Sequence, residues 1–116
     1  MRSLRIATAV VLALSAGFAN AANRFLVVRG DGVEVTAEPA GNAVFLWCRN
    51  TTDKTMAYHV TNVTLWVDGE KIGHWNDLGG QPNLAPGENQ GCGNLESYKF
   101  TGNGAQVRVE ASVTAQ

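Results

Sequence analysis

Val63-Thr64-Leu65-Trp66-Val67-Asp68-Gly69-Glu70-Lys71-Ile72-Gly73 is the stretch that decides the fold class. Side chains alternate across an extended chain, so Val63, Leu65 and Val67 share one side while Thr64, Trp66 and Asp68 share the other. Asp68-Gly69 then supplies the positive φ of a tight primed turn, and Glu70 to Trp75 is expected to return as the second arm of a hairpin.

The same period of two recurs on both sides of the hairpin, and no helical period does. Towards the C-terminus, Asn76 to Pro86 holds Gly79, Gly80, Pro82 and Pro86 and reads as a long loop. A strand over Asn89 to Phe100 follows, with Gly91 and Gly93 flanking Cys92, then a turn at Thr101-Gly102-Asn103-Gly104 and an alternating strand from Gln106 to Val113. Towards the N-terminus, the polar cluster Asn50 to Lys54 ends the run Ala43-Val44-Phe45-Leu46-Trp47-Cys48. That run is apolar on both faces and reads as a central strand. Before it, Phe25 to Arg29 and Val33 to Thr36 form two strands joined at the turn Gly30-Asp31-Gly32. About seven short strands at this spacing predict an all-β, two-sheet antiparallel sandwich.

The first residues carry a different signature. Arg2 and Arg5 form a positive segment, Ile6 to Phe18 an apolar run, and Ala19-Asn20-Ala21 a small-x-small site, so residues 1–21 read as a secretory signal peptide cleaved after Ala21. The competing reading is an uncleaved anchor, but Ile6 to Phe18 supplies only about two-thirds of the roughly 20 apolar residues that span a bilayer. Residues 22–116 are then one domain, sized for a single core.

Arg2 and Arg5 leave with the signal, so 7 basic side chains face 10 acidic ones in the exported part. That balance argues against nucleic acid or an anionic membrane as partner, since both need clustered Lys and Arg. Cys48 and Cys92 both lie in the exported part, and an even pair in a small exported domain is expected to form a disulfide. A metal site and a catalytic thiol are the alternatives, yet neither cysteine sits in a C-x-x-C motif and His59 and His74 have no ligand spacing to either.

The segment from Asn50 to Val113 resembles the bacterial Ig-like adhesion modules of the CARDB and fibronectin-III-like kind. The residues that carry the resemblance are Cys48-Arg49-Asn50-Thr51-Thr52 at the end of a sandwich strand, the hairpin Val63 to Gly73, and Leu84-Ala85-Pro86-Gly87-Glu88 before a later strand. It implies an Ig-like sandwich in an envelope or secreted protein, without catalysis. The antibody hallmark is absent, because residue 90 is Gln and Trp66 lies too far beyond Cys48. With the cysteines on neighbouring strands of such a sandwich, the bridge joins strands within one sheet.

Candidate functional residues are few. Trp66, out of phase with Val63, Leu65 and Val67, is expected on the exposed face of its hairpin near Trp75 and His74, where two rings would form a platform for a sugar or a protein partner. Burial of Trp47, Trp66 and Trp75 is the plainer alternative. Arg29-Gly30-Asp31 spells the integrin-binding tripeptide, although the turn alone explains it. Asn50-Thr51-Thr52 and Asn62-Val63-Thr64 fit the glycosylation pattern and read as strand-end chemistry. No nucleophile elbow, phosphate loop or paired-carboxylate motif occurs, and no cofactor or metal is expected.

The expectation is therefore a periplasmic or secreted non-enzymatic domain that recognises a protein or glycan. An inhibitor or immunity protein that plugs an enzyme with the loop Asn76 to Glu88 is the second reading. A small hydrolase with a site assembled only in the fold is the third.

Overall fold

A computed structural model describes residues 24–96 and 106–116, without the side chains of residues 81 and 82. The expected signal segment, the expected strand continuation over residues 97–100 and the turn Thr101 to Gly104 lie outside the described residues. Seven strands are described: β1 (Phe25–Gly30), β2 (Val33–Ala40), β3 (Ala43–Asn50), β4 (Met56–Val67), β5 (Glu70–Leu84), β6 (Asn89–Glu96) and β7 (Val107–Ala115). They form the all-β, two-sheet antiparallel sandwich that the alternation calls for. Sheet A has the order β1-β2-β3-β6 and sheet B the order β5-β4-β7, with every pairing antiparallel. The chain changes sheet between β3 and β4 and again on either side of β6, so β3 lies beside β6 and β4 beside β7.

Two of the three two-residue hairpin turns among the described residues, the Asp-Gly pairs, have the geometry their residues favour. Asp31 and Gly32 have φ of 53° and 82°, and Asp68 and Gly69 have 51° and 84°. Two successive positive values define the primed turn that matches strand twist. The inward set of the opening stretch, Val63, Leu65 and Val67, faces Val33, Val35, Ala37, Val44 and Leu46 across the core, and β7 adds Val107, Val109, Ala111 and Val113.

Cys48 and Cys92 form the expected bridge, within sheet A, with Cα atoms 5.7 Å apart. Leu46 pairs with Gly93 and Trp47 with Gly91, which leaves Cys92 as the extra residue of a bulge. A bulge re-aims a side chain, and here it turns Cys92 inward beside Cys48 so that both are buried. The two glycines have opposite duties. A Cβ on Gly93 would come within 2.7 Å of Leu78 Cδ1, because Leu78 of β5 closes over that position, whereas one on Gly91 would meet nothing within 4 Å.

One expectation fails. Asn76 to Pro86 is not a long loop, since β5 runs through to Leu84 and only Ala85 to Glu88 connect it to β6. Glycine and proline argue against a central strand, but β5 lies at the edge of sheet B, where one side needs no ladder partner. The 15 residues of β5 pair with the 12 of β4 through three register shifts. The surplus is absorbed near Ile72, Leu78–Gly79 and 82–83, and Gly79 and Asn83 take positive φ there. The plugging loop of the inhibitor reading is thus a paired strand.

A buried polar knot closes one end of the sandwich. Asn50 is fully buried, and its Nδ2 donates to the carbonyls of Lys54 and Leu84 at 2.6 and 2.8 Å. Its Oδ1 accepts from the Thr52 backbone N–H at 2.8 Å and from the Thr52 hydroxyl at 2.7 Å. The Tyr58 hydroxyl lies 3.0 Å from both Asn50 Oδ1 and the Gly32 carbonyl. Burial pushes the Tyr58 phenol above its ordinary pKa.

Candidate functional site

Sheet A turns its outer face to solvent, and the register of its four strands arranges that face in three rows. In the middle row Leu26 pairs with Thr36, Thr36 with Trp47 and Trp47 with Gly91. On one side Glu38 pairs with Phe45 and Phe45 with Asn94, with Arg24 joining Glu38 by a 3.1 Å salt bridge. On the other side Arg29 pairs with Glu34 and Glu34 with Arg49. Trp47 and Phe45 thereby lie side by side in adjacent rows, with the Arg24–Glu38 pair beyond one end and the ions Arg29, Glu34 and Arg49 along the far side of the Trp47 row.

Phe45, at 37% exposure, is the large hydrophobic residue that the described surface leaves most open. Trp47 is half-buried and held from two sides: its Nε1 donates to Glu38 Oε1 at 3.0 Å, and the Arg24 guanidinium lies 4.5 Å from the ring centroid. The ring does not reach over Gly91, so the sheet is bare beside it. Glu34 accepts from Arg29 Nε and Nη2 at 3.1 and 2.9 Å through one oxygen and from Arg49 Nη2 at 3.1 Å through the other. Partial burial pushes the Glu34 carboxyl up, but the hydrogen bonds and charges of Arg29 and Arg49 outweigh it and hold the pKa below the usual carboxylate value.

That balance sets a pH response. A carboxylate whose folded pKa is depressed adds stability above its unfolded pKa, near 4.5, and the contribution disappears as pH falls through the lower folded value. Glu34→Gln should therefore cost under about 1 kcal/mol at pH 7, since the site is partly solvated, and less at pH 3 than at pH 7. Urea unfolding at the two pH values measures the difference.

The residues singled out from the sequence are placed differently. Trp75 pairs with Val63 and packs against the core, whereas Trp66 points out of sheet B with the Arg108 guanidinium 3.7 Å from its ring centroid. The two rings lie on opposite faces, so the expected shared platform does not form. The phase of Trp66 was legible, but the facing of Trp75 depends on the pairing register. His74 does share the outer face with Trp66, its Nδ1 2.7 Å from Thr64 Oγ1 and its Nε2 3.0 Å from Asn76 Oδ1. A cavity of about 140 Å³ beside Trp66 is lined by Gly69, Gln106, Val107 and Arg108.

Other candidates are occupied. Arg29 of the Arg29-Gly30-Asp31 tripeptide is bound by Glu34, and Asp31 Oδ2 accepts the Ala115 N–H at 3.2 Å. His59 Nε2 lies 2.6 Å from Asp77 Oδ1, and Gln116 Nε2 lies 3.1 Å from its Nδ1, so both ring nitrogens are engaged. Asn50, the first residue of one glycosylation pattern, spends its amide inside the knot, whereas Asn62 is exposed. Among the described residues, no group of three or more His, Cys, Asp or Glu could hold a metal ion.

Phe45 and Trp47 were hidden by the double apolarity of their strand. The available signal was phase: residues 45 and 47 alternate in step with Arg49, which belongs in water, while residues 44, 46 and 48 are the buried set. No family model, no curated protein and no solved structure matches the chain.

Proposed function

We propose that the chain is an exported, non-enzymatic recognition domain, periplasmic or secreted, whose contact surface is the outer face of sheet A. The observation that carries this reading is the exposed Phe45 beside a held Trp47 on β3, a strand paired on both sides. Aromatic rings fixed in this way lose little conformational entropy on binding, which is why they concentrate at recognition surfaces. The buried bridge is compatible with the oxidising compartment to which the N-terminal signature points. The resemblance to bacterial Ig-like modules supports the same role.

In-cell photocrosslinking tests it. A benzophenone amino acid replacing Phe45 should yield a specific adduct in the envelope or culture fluid, and the same probe replacing Ser112, on the outer face of sheet B, should not. An absence of adduct at position 45, or equal adducts at both positions, would remove the proposed surface.

A further inference from the structure

Resting on that reading, we infer that the partner at the Phe45–Trp47 face is an uncharged glycan. Three features separate this ligand from a protein surface. The first is electrostatic. The flanking carboxylates Glu34 and Glu38 are each held by arginine, Glu34 by two, so every charge on the flanks is in an ion pair and their sum is a single positive charge, a weak field for an oppositely charged partner. Covering these ion pairs with a dry protein surface would desolvate them without adding a compensating charge. Sugar hydroxyls are both donors and acceptors, and can replace the water on the pairs group for group.

The second feature is apolar area. One open phenyl ring and one half-buried indole give too small a hydrophobic centre for a stable protein interface, which buries about 800 Å² on each partner. A pyranose needs only the face of one ring for its C–H groups, and its equatorial hydroxyls then point sideways to polar side chains. Here the sideways positions hold Arg24, Glu38 and Asn94 on one flank and Arg49 on the other. Each arginine keeps N–H groups beyond those its glutamate uses, since a guanidinium carries five.

The third feature is Gly91. A side chain at this position would meet nothing, so the missing Cβ is not required by packing, yet it leaves an uncovered strip of sheet beside the Trp47 ring. The strip continues the middle row to the edge strand and gives a flat ligand room to lie beside the indole. A polar side chain placed there would fill that room without disturbing the core.

The experiment uses the purified, bridge-intact protein on an array of neutral oligosaccharides (hexamers of β-1,4-glucose, β-1,4-N-acetylglucosamine and α-1,4-glucose among them), with polygalacturonate and anionic vesicles alongside. The expected result is binding to at least one neutral glycan with a Kd below about 1 mM, weakened about tenfold by Phe45→Ala, the loss typical of a ring truncated at a contact centre. Gly91→Gln should abolish binding, and unchanged thermal unfolding of both variants shows that the fold is intact. Ser112→Ala should bind as the unaltered protein does. A blank neutral array, selective binding to polygalacturonate or vesicles, or binding indifferent to both Phe45→Ala and Gly91→Gln would overturn the inference. A blank array together with a specific protein adduct from position 45 would overturn the glycan alone and leave the recognition surface in place. Failure of both experiments would remove both.

Discussion

Replacing both Cys48 and Cys92 with Ala should lower the unfolding free energy by about 4 kcal/mol, the chain-entropy value for closing a loop of this length. That is a large part of the roughly 5–15 kcal/mol margin of a small domain, and corresponds to a fall in Tm of about 15 °C or more. The loss should come mainly through the unfolded state. The bridge joins β3 to β6, which are already hydrogen-bonded neighbours in sheet A, so it adds no link between the sheets in the folded protein. In the unfolded chain it ties together residues 44 apart in sequence, with β4 and β5 lying between them. Differential scanning calorimetry of the oxidised protein and of the double variant measures the change. A Tm shift of under about 5 °C would show that the bridge closes little unfolded-state freedom.

The fold was legible where one face of a strand is wet. Val63, Leu65 and Val67, and likewise Val107 and Val109, alternate with polar residues, and every such segment is a strand with that facing. The Asp-Gly pair at 68–69 fixed its turn, because few other residues accept two successive positive φ values. Legibility failed at β5 for a specific reason. Glycine and proline mark places where a ladder is weak, but an edge strand can carry a weak ladder if bulges take up the surplus residues. Whether a strand lies at an edge is decided by sheet order, a non-local property.

The candidate site shows the same division. Trp66 could be assigned an outward face from its own strand, whereas the facing of Trp75 needed the register across β4 and β5. The outward facing of Phe45 and Trp47 does not stand out, because a strand apolar on both faces reads as doubly covered. Nothing among the described strands covers the outer face of sheet A at Phe45. The exposed aromatic is the informative departure from burial: phase with Arg49 marks the outward row of β3, and the structure identifies Phe45 as its more open ring.

Asn50→Ala should be about as damaging as loss of the bridge, costing about 3–5 kcal/mol, and for an opposite reason: its effect lies wholly in the folded state. The side chain joins three separate segments. Its amide holds the carbonyl of Lys54 after β3 and that of Leu84 at the end of β5, while its oxygen receives Thr52 and faces the Tyr58 hydroxyl of β4. Alanine would strand the Leu84 carbonyl and the Thr52 N–H in a region with no solvent access at Asn50 and leave the Lys54 carbonyl with the Thr52 hydroxyl alone, and each unsatisfied buried group costs about 1–3 kcal/mol. Partial relaxation keeps the total below the sum. Tyr58→Phe removes a single donor hydroxyl and should cost only about 1–2 kcal/mol, since Asn50 Oδ1 keeps Thr52 and the Gly32 carbonyl keeps the Thr51 N–H. Asn50→Asp separates geometry from charge. It keeps the oxygen that Thr52 needs, loses the two amide bonds and buries a carboxylate, so it should match Asn50→Ala at pH 7 and recover part of its stability as pH falls and the carboxyl is protonated. Urea unfolding of the three variants at pH 7 and pH 4 measures the order. If Asn50→Ala costs no more than Tyr58→Phe, the knot is a consequence of the fold and not one of its supports.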